Sequence, residues 1–132
     1  MGLEFQTMKK IVDYQSALDY IYSFIDNSRT HQQNLSPENF NLSRVRNLCE
    51  MIGNPQTAYW SVHVAGSKGK GSVCAMIASV LEEAGYQVGL YTSPHLEEFS
   101  ERIQVNGKPV DENLITETLQ YLREFIDQIE DI

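Results

Sequence analysis

Seven consecutive positions, Gly66 to Ser72, read GSKGKGS, combining three glycines, two lysines and two serines. These are the residue types that handle phosphate. Glycine lets backbone N–H groups turn inward and lets a ligand approach the chain closely. A lysine adds a full positive charge, and a serine adds a hydroxyl for phosphate or metal. The same letters could also spell a flexible surface linker. What flanks them decides between the two.

Upstream, "AYWSVHVA" is apolar and rich in β-formers, which predicts a strand over Tyr59–Ala65 buried on both faces. Downstream, "SVCAMIASVLEEAG" is apolar nearly all round and predicts a buried helix stopped at Gly85. "YQVGLYT" predicts a second buried strand. Strand, loop, helix and strand across 59–91 make one βαβ unit, so the expected fold class is α/β, a parallel sheet flanked by helices. A linker has no room to flex there. A helix starting near Lys70 aims its unpaired N–H groups and positive dipole end at the loop. Lys70 then reaches toward outer phosphates and Ser72 toward phosphate or metal. The context predicts a nucleoside triphosphate site.

The spelling is not that of the commonest P-loop, which has four residues between its glycines and a hydroxyl residue directly after the lysine. Here only Ser67 and Lys68 separate Gly66 from Gly69, and Gly71 precedes Ser72. Nor is it a dinucleotide fingerprint, since no acid ends the second strand at Thr92.

Other elements must hold this unit. Asp13 precedes a helical pattern carrying Leu18, Ile21, Tyr22 and Ile25. Asn27 to Asn41 reads as a loop of about fifteen residues, a length uncommon unless it borders a ligand. A second helix places Leu42, Val45, Leu48, Cys49 and Ile52 on one side and stops at Gly53-Asn54-Pro55. "SPHLEEFSERI" reads as an irregular loop, and "RIQVNGKPV" as a hairpin turning at Asn106-Gly107. Asp111 caps a last helix with Ile115, Leu119, Leu122, Ile126 and Ile129 on one face. Trp60, Tyr86 and Tyr91 flank the predicted strands and are expected in the core, with His63 a satisfied structural residue.

The 132 residues, 42% hydrophobic and 21% charged, fit one globular domain of the ordinary soluble kind. Residues 1–12 read as an N-terminal extension and 13–132 as the domain portion. Of the net charge of −8, the span from Asp111 carries −6, seven acids against Arg123, leaving the rest near neutral at −2. That distribution excludes the basic face a nucleic-acid binder needs. No apolar run reaches the roughly 20 residues of a membrane helix, and the start lacks a signal-peptide core. Cys49 and Cys74 form no CxxC and are expected reduced, in a cytoplasmic protein.

"HVAGSKGKGS" followed by "GLYTSPHLEEFSERIQVNG" resembles the folylpolyglutamate synthase/dihydrofolate synthase family of the Mur ligase superfamily. The family pattern runs A-G-T-[NK]-G-K-G-S, then T-S-P-H and E-R-I-x-[VI]-N-G. Ser67 replaces the usual Thr and keeps the hydroxyl. The segment "FNLSRVRNLCEMIGNPQ" is similar to the family's upstream sequence, so the resemblance covers about Tyr14 to Val110.

The resemblance implies a truncated Mur ligase-type ATP-binding domain. It implies a ligase that uses ATP and Mg2+ to phosphorylate a carboxylate of folate or dihydropteroate, which L-glutamate then attacks to form an amide. By the same resemblance Lys68, Gly69, Lys70 and Gly71 hold the phosphates, with Lys70 the catalytic cation. Ser67 and Ser72 add hydroxyl or backbone contacts, and Ser93 of "TSPH" ligates magnesium. The loop Ser93–Ser100 borders the pterin site in relatives, which leaves His95 open to contact with nucleotide, metal or substrate. Ser93 before Pro94 also reads as a plain turn, and Lys68 as a solvated charge. Glu101 and Arg102 are expected to fix the loop by pairing with each other.

Family members exceed four hundred residues, so the chain is expected to be the N-terminal piece of such an enzyme and inactive alone. Its expected partners are the missing C-terminal part or a second copy paired along an exposed sheet edge. Two rival readings are another Mur-type amino-acid ligase and a non-catalytic nucleotide-binding module.

Overall fold

The computed structural model describes residues 10–31 and 42–129, with side chains described for 10–24 and 42–129. Residues 1–9 of the expected 1–12 extension and most of the expected long loop, 32–41, lie outside the described residues. The described elements are α1 (Tyr14–His31), α2 (Ser43–Met51), a short 3₁₀ turn (Pro55–Thr57) and α3 (Lys70–Glu83). They continue with β1 (Gly89–Tyr91), a 3₁₀ turn (Phe99–Arg102), β2 (Ile103–Val105), β3 (Lys108–Pro109) and α4 (Glu112–Ile126). The chain divides into two compact units, one comprising the residues up to Ala58 together with those from Thr116 on, the other spanning Tyr59–Ile115.

In the first unit α1 starts at a reciprocal cap. The Ser16 N–H and hydroxyl donate to Asp13 Oδ1 at 2.8 and 2.7 Å, while the N–H groups of Val12 and Asp13 donate to Ser16 Oγ. Its buried face is Ala17 and Tyr20 with Ile11, against which Phe24, Leu119 and Ile126 pack. This corrects the expected stripe: Leu18 and Ile21 are half-buried and Tyr22 is exposed. Helix α1 also runs through Asn27–His31, which read as loop. Large aromatics set the rotation. Tyr20 meets Phe24 edge-on at 5.0 Å, and the Arg123 guanidinium sits 5.3 Å from the Tyr20 ring centre. The Gln120 side-chain amide donates to the Ile11 carbonyl at 3.0 Å. Helix α2 forms where expected but buries none of its residues, with Leu42 and Val45 exposed.

The second unit departs further from expectation. Tyr59–Ala65 carries no strand, and Trp60 lies fully exposed with Val62 at 66%. β1 exists, but Tyr91 is 63% exposed, and β1 pairs antiparallel with β2 at Leu90↔Gln104. The only sheet among the described residues is antiparallel, ordered β1-β2-β3. The predicted parallel βαβ pairing and the buried Trp60, Tyr86 and Tyr91 are therefore corrected, as is a buried His63, which is exposed. The physical reason is hydrogen bonding. A central parallel strand needs ladders on its sides, and β1 spends its described ladder on β2.

Three local readings hold. Asn106 (φ 49°) and Gly107 (φ 70°) form the two-residue hairpin turn between β2 and β3, with Val105 opposite Lys108. Helix α3 ends at Gly85 (φ 89°), where the Tyr86 N–H bonds the Leu81 carbonyl and the Gly85 N–H that of Glu82. Asp111 caps α4 through the Asn113 N–H at 2.8 Å. Ile115 of α4 is buried. Cys49 and Cys74 are free and half-buried.

Candidate functional site

Ser67 and Lys68 lie exposed in the bend before α3. Gly69 is the N-cap of α3 in the left-handed region (φ 75°), and no side chain caps that end. The first intrahelical bond runs from the Val73 N–H to the Gly69 carbonyl at 3.0 Å. Side chains thus leave the first-turn N–H groups at Lys70, Gly71 and Ser72 to other acceptors. A Cβ at Gly69 would meet nothing within 4 Å, so glycine is required there by the backbone angle and not by crowding. Lys70 Nζ folds back and donates to the Gly66 carbonyl at 2.7 Å, which closes the loop across its own mouth.

The second loop follows β1. The Thr92 N–H bonds the Arg102 carbonyl at 2.9 Å, and the Ser93–Pro94 peptide bond is cis. Sequence reading makes this stretch irregular, yet its end is a 3₁₀ turn. Glu98 and Glu101 form a capping box there, each side chain accepting the other's backbone N–H. The Glu101 carboxylate accepts the N–H groups of Leu96, Glu97 and Glu98 at 2.8, 3.0 and 2.9 Å. Those bonds, led by the one from Leu96, hold the Glu101 carboxyl below the usual carboxylate range. The expected Glu101–Arg102 pairing is not what fixes the loop. Arg102 instead donates from Nε to His95 Nδ1 at 2.8 Å and lies 5.3 Å from the Phe99 ring centre. The spacing Glu98-x-x-Glu101 was the available sequence signal for this device.

The start of α3 and the loop after β1 line one groove of about 410 Å³. Gly71 and Ala75 of α3 line it, with Thr92, Ser93, His95 and Glu101 contributed from the other loop and Gln104 from β2. The structure therefore brings Gly71 and Ser93 to a common space. Ser67, Lys68, Gly69, Lys70 and Ser72 are its sequence neighbours and do not line it. Thr92 and Gln104 are lining residues that the motif reading missed, because neither belongs to a phosphate-binding spelling.

Among the described residues no group of three or more His, Cys, Asp or Glu is arranged to hold a metal ion. Ser93 offers one hydroxyl, and Glu101 is committed to backbone N–H groups. This donor set fits a hard cation that takes most of its oxygens from water and phosphate, as magnesium does. It does not make a protein cage.

No family model matches the chain. The chain is 46% identical over 69 residues to the dihydrofolate synthetase of Saccharomyces cerevisiae, covering 52% of this chain and 16% of that protein. It is 32% identical over 119 residues to the folylpolyglutamate synthase of Lacticaseibacillus casei, covering 90% of this chain and 26% of that protein. A solved structure described as an FPGS–AMPPCP–folate complex superposes with a TM-score of 0.75 at 32% identity, over 89% of this chain and 26% of that one. The chain thus spans between 16% and 26% of the length of these relatives.

Proposed function

This chain belongs with the folylpolyglutamate synthase/dihydrofolate synthase family, matching it over most of its length, and from that premise we propose that it carries the ATP-binding part of a folate–glutamate ligase. The observation that carries the reading is the uncapped α3 N-terminus, led by left-handed Gly69 and flanked by Lys70, opening beside the groove that also takes Ser93. That arrangement suits a polyphosphate, because backbone N–H groups and the helix dipole act together on an anion.

In this reading Ser67, Lys68, Gly69, Lys70, Gly71 and Ser72 form a P-loop variant around the phosphates of ATP. Lys70 exchanges the Gly66 carbonyl for a phosphoryl oxygen. Ser93 would hold Mg2+ together with phosphate oxygens, and the ion supplies neutralisation of the charge developing on the triphosphate. The γ-phosphoryl group passes to a carboxylate oxygen of folate or dihydropteroate, releasing ADP. The amine of L-glutamate then attacks the acyl phosphate, forms the amide, and expels phosphate with loss of a proton. Converting a carboxylate oxygen into phosphate turns a poor leaving group into a good one.

Residues 13–132 are read as a portion of the ATP-binding domain, and catalysis as needing more ligase sequence than these 132 residues hold. The exposed Tyr59–Ala65 segment supports that reading, since it presents apolar β-forming side chains that pair with no strand among the described residues. Further ligase sequence, or a second copy of this chain, would cover that surface.

Calorimetric titration with ATP and Mg2+ tests the proposal. The chain is expected to bind ATP, and Lys70→Ala to weaken binding at least tenfold, about 1.4 kcal/mol or more. Unchanged affinity in a folded Lys70→Ala variant removes the phosphate role of this loop.

A further inference from the structure

Arg102 donates from Nε to His95 Nδ1 at 2.8 Å in a half-buried contact. A guanidinium has donors only, so the nitrogen facing it must offer a lone pair. Imidazole in its neutral form then carries its proton on Nε2. His95 lines the groove beside Ser93 and Gly71, and Nε2 is the ring nitrogen left to a groove ligand. We infer that His95 is a fixed hydrogen-bond donor to an anionic oxygen of the ligand, phosphoryl or carboxylate, and that Arg102 is the positioning residue which sets its tautomer.

Several contacts hold the pair in place. The Arg102 guanidinium lies 5.3 Å from the Phe99 ring centre, and His95 meets the same ring at 6.1 Å and 62°. Glu101 gathers the N–H groups of Leu96, Glu97 and Glu98, the three residues directly after His95. A side chain so clamped presents its N–H without reorganising when the ligand arrives. The same geometry excludes two other roles. Nδ1 is blocked by Arg102, and a protonated Nε2 has no lone pair to ligate a metal or to take a proton from an amine.

The choice of an anionic ligand rests on the proposed function, whereas the tautomer does not. Long-range proton–nitrogen NMR on the 132-residue chain, well above the ordinary imidazole pKa of about 6.5, reads both. The expected spectrum shows His95 Nδ1 bare and Nε2 protonated, with Arg102→Gln and Arg102→Lys shifting it toward a tautomer mixture. A protonated Nδ1 in the wild type overturns the inference while leaving the ligase reading intact. Inorganic triphosphate in one arm and folate in another are then expected to move the Nε2 resonances in one arm only, which identifies the source of the oxygen. His95→Gln, which keeps a donor at that reach, should retain binding of that probe, and His95→Leu should weaken it at least about fivefold. Nε2 resonances that neither probe moves overturn the donor role. Calorimetric binding of ATP in that same sample shows whether the proposed function survives.

Discussion

At the scale of single residues, two side chains act through the backbone and not through each other. Lys70 spans its own loop to the Gly66 carbonyl, and Glu101 collects three N–H groups of the facing loop. Because Glu101 is held below the usual carboxylate range, its contribution to loop order is full above the unfolded-state pKa. It is lost as pH falls through the lower folded value. Amide signals of Leu96, Glu97 and Glu98 should therefore shift together on acidification, at a pH below that of an ordinary glutamate. Glu101→Gln is expected to move the same three signals at neutral pH, and a variant that leaves them in place contradicts the assignment. In the other unit the hydroxyls of Tyr14 and Tyr20 are buried without a hydrogen-bond partner among the described residues. Tyr20→Phe removes an unsatisfied polar atom and keeps the ring contacts. It should unfold at the same or higher denaturant, by up to about 1 kcal/mol.

At the scale of elements, the legible features were those whose cause is local. Gly85 ending α3, the Asn106-Gly107 turn and the Asp111 cap each depend on a residue's own dihedral preference or a side chain reaching two positions along. Gly69 belongs with them, and Gly69→Ala should destabilise α3 by about 1–2 kcal/mol through its positive φ alone, since the space around it is open. Thermal unfolding followed by circular dichroism reads that loss. The strand over Tyr59–Ala65 was the opposite case. Val62, Val64 and their neighbours spell a strand, but a strand exists only with a ladder, and the residues near it in sequence do not supply one. The α1 stripe was misjudged for a related reason. Leu119 and Ile126 of α4 pack against the cluster of Ile11, Ala17 and Tyr20, and Arg123 lies over the Tyr20 ring, an encounter roughly one hundred positions away that no local period shows. The loop after β1 was half legible, as Glu101 was read as fixing it, but by pairing with Arg102 and not by collecting backbone N–H groups.

At the scale of the whole molecule, the chain matches 16% to 26% of the length of the relatives compared above and carries apolar surface to match. Trp60, Val62, Val73, Met76 and Val80 are exposed in one unit, the last three on α3, a helix apolar nearly all round with only Ala78 buried. Scattered exposed residues are ordinary, but a helix apolar on every face is built to be covered. Sedimentation is expected to show concentration-dependent association, reduced by Val62→Lys in the exposed Tyr59–Ala65 segment. A monomer at every concentration, unaffected by that change, removes self-association from the account.

The central claim is that backbone N–H groups at the start of α3 hold a polyphosphate. Amide chemical shifts recorded while ATP is titrated into the labelled chain test it most directly. The account predicts saturable shifts centred on Gly69, Lys70, Gly71 and Ser72, with Ser93 following across the groove. Shifts that leave those amides untouched, or that centre on another face of the protein, contradict it.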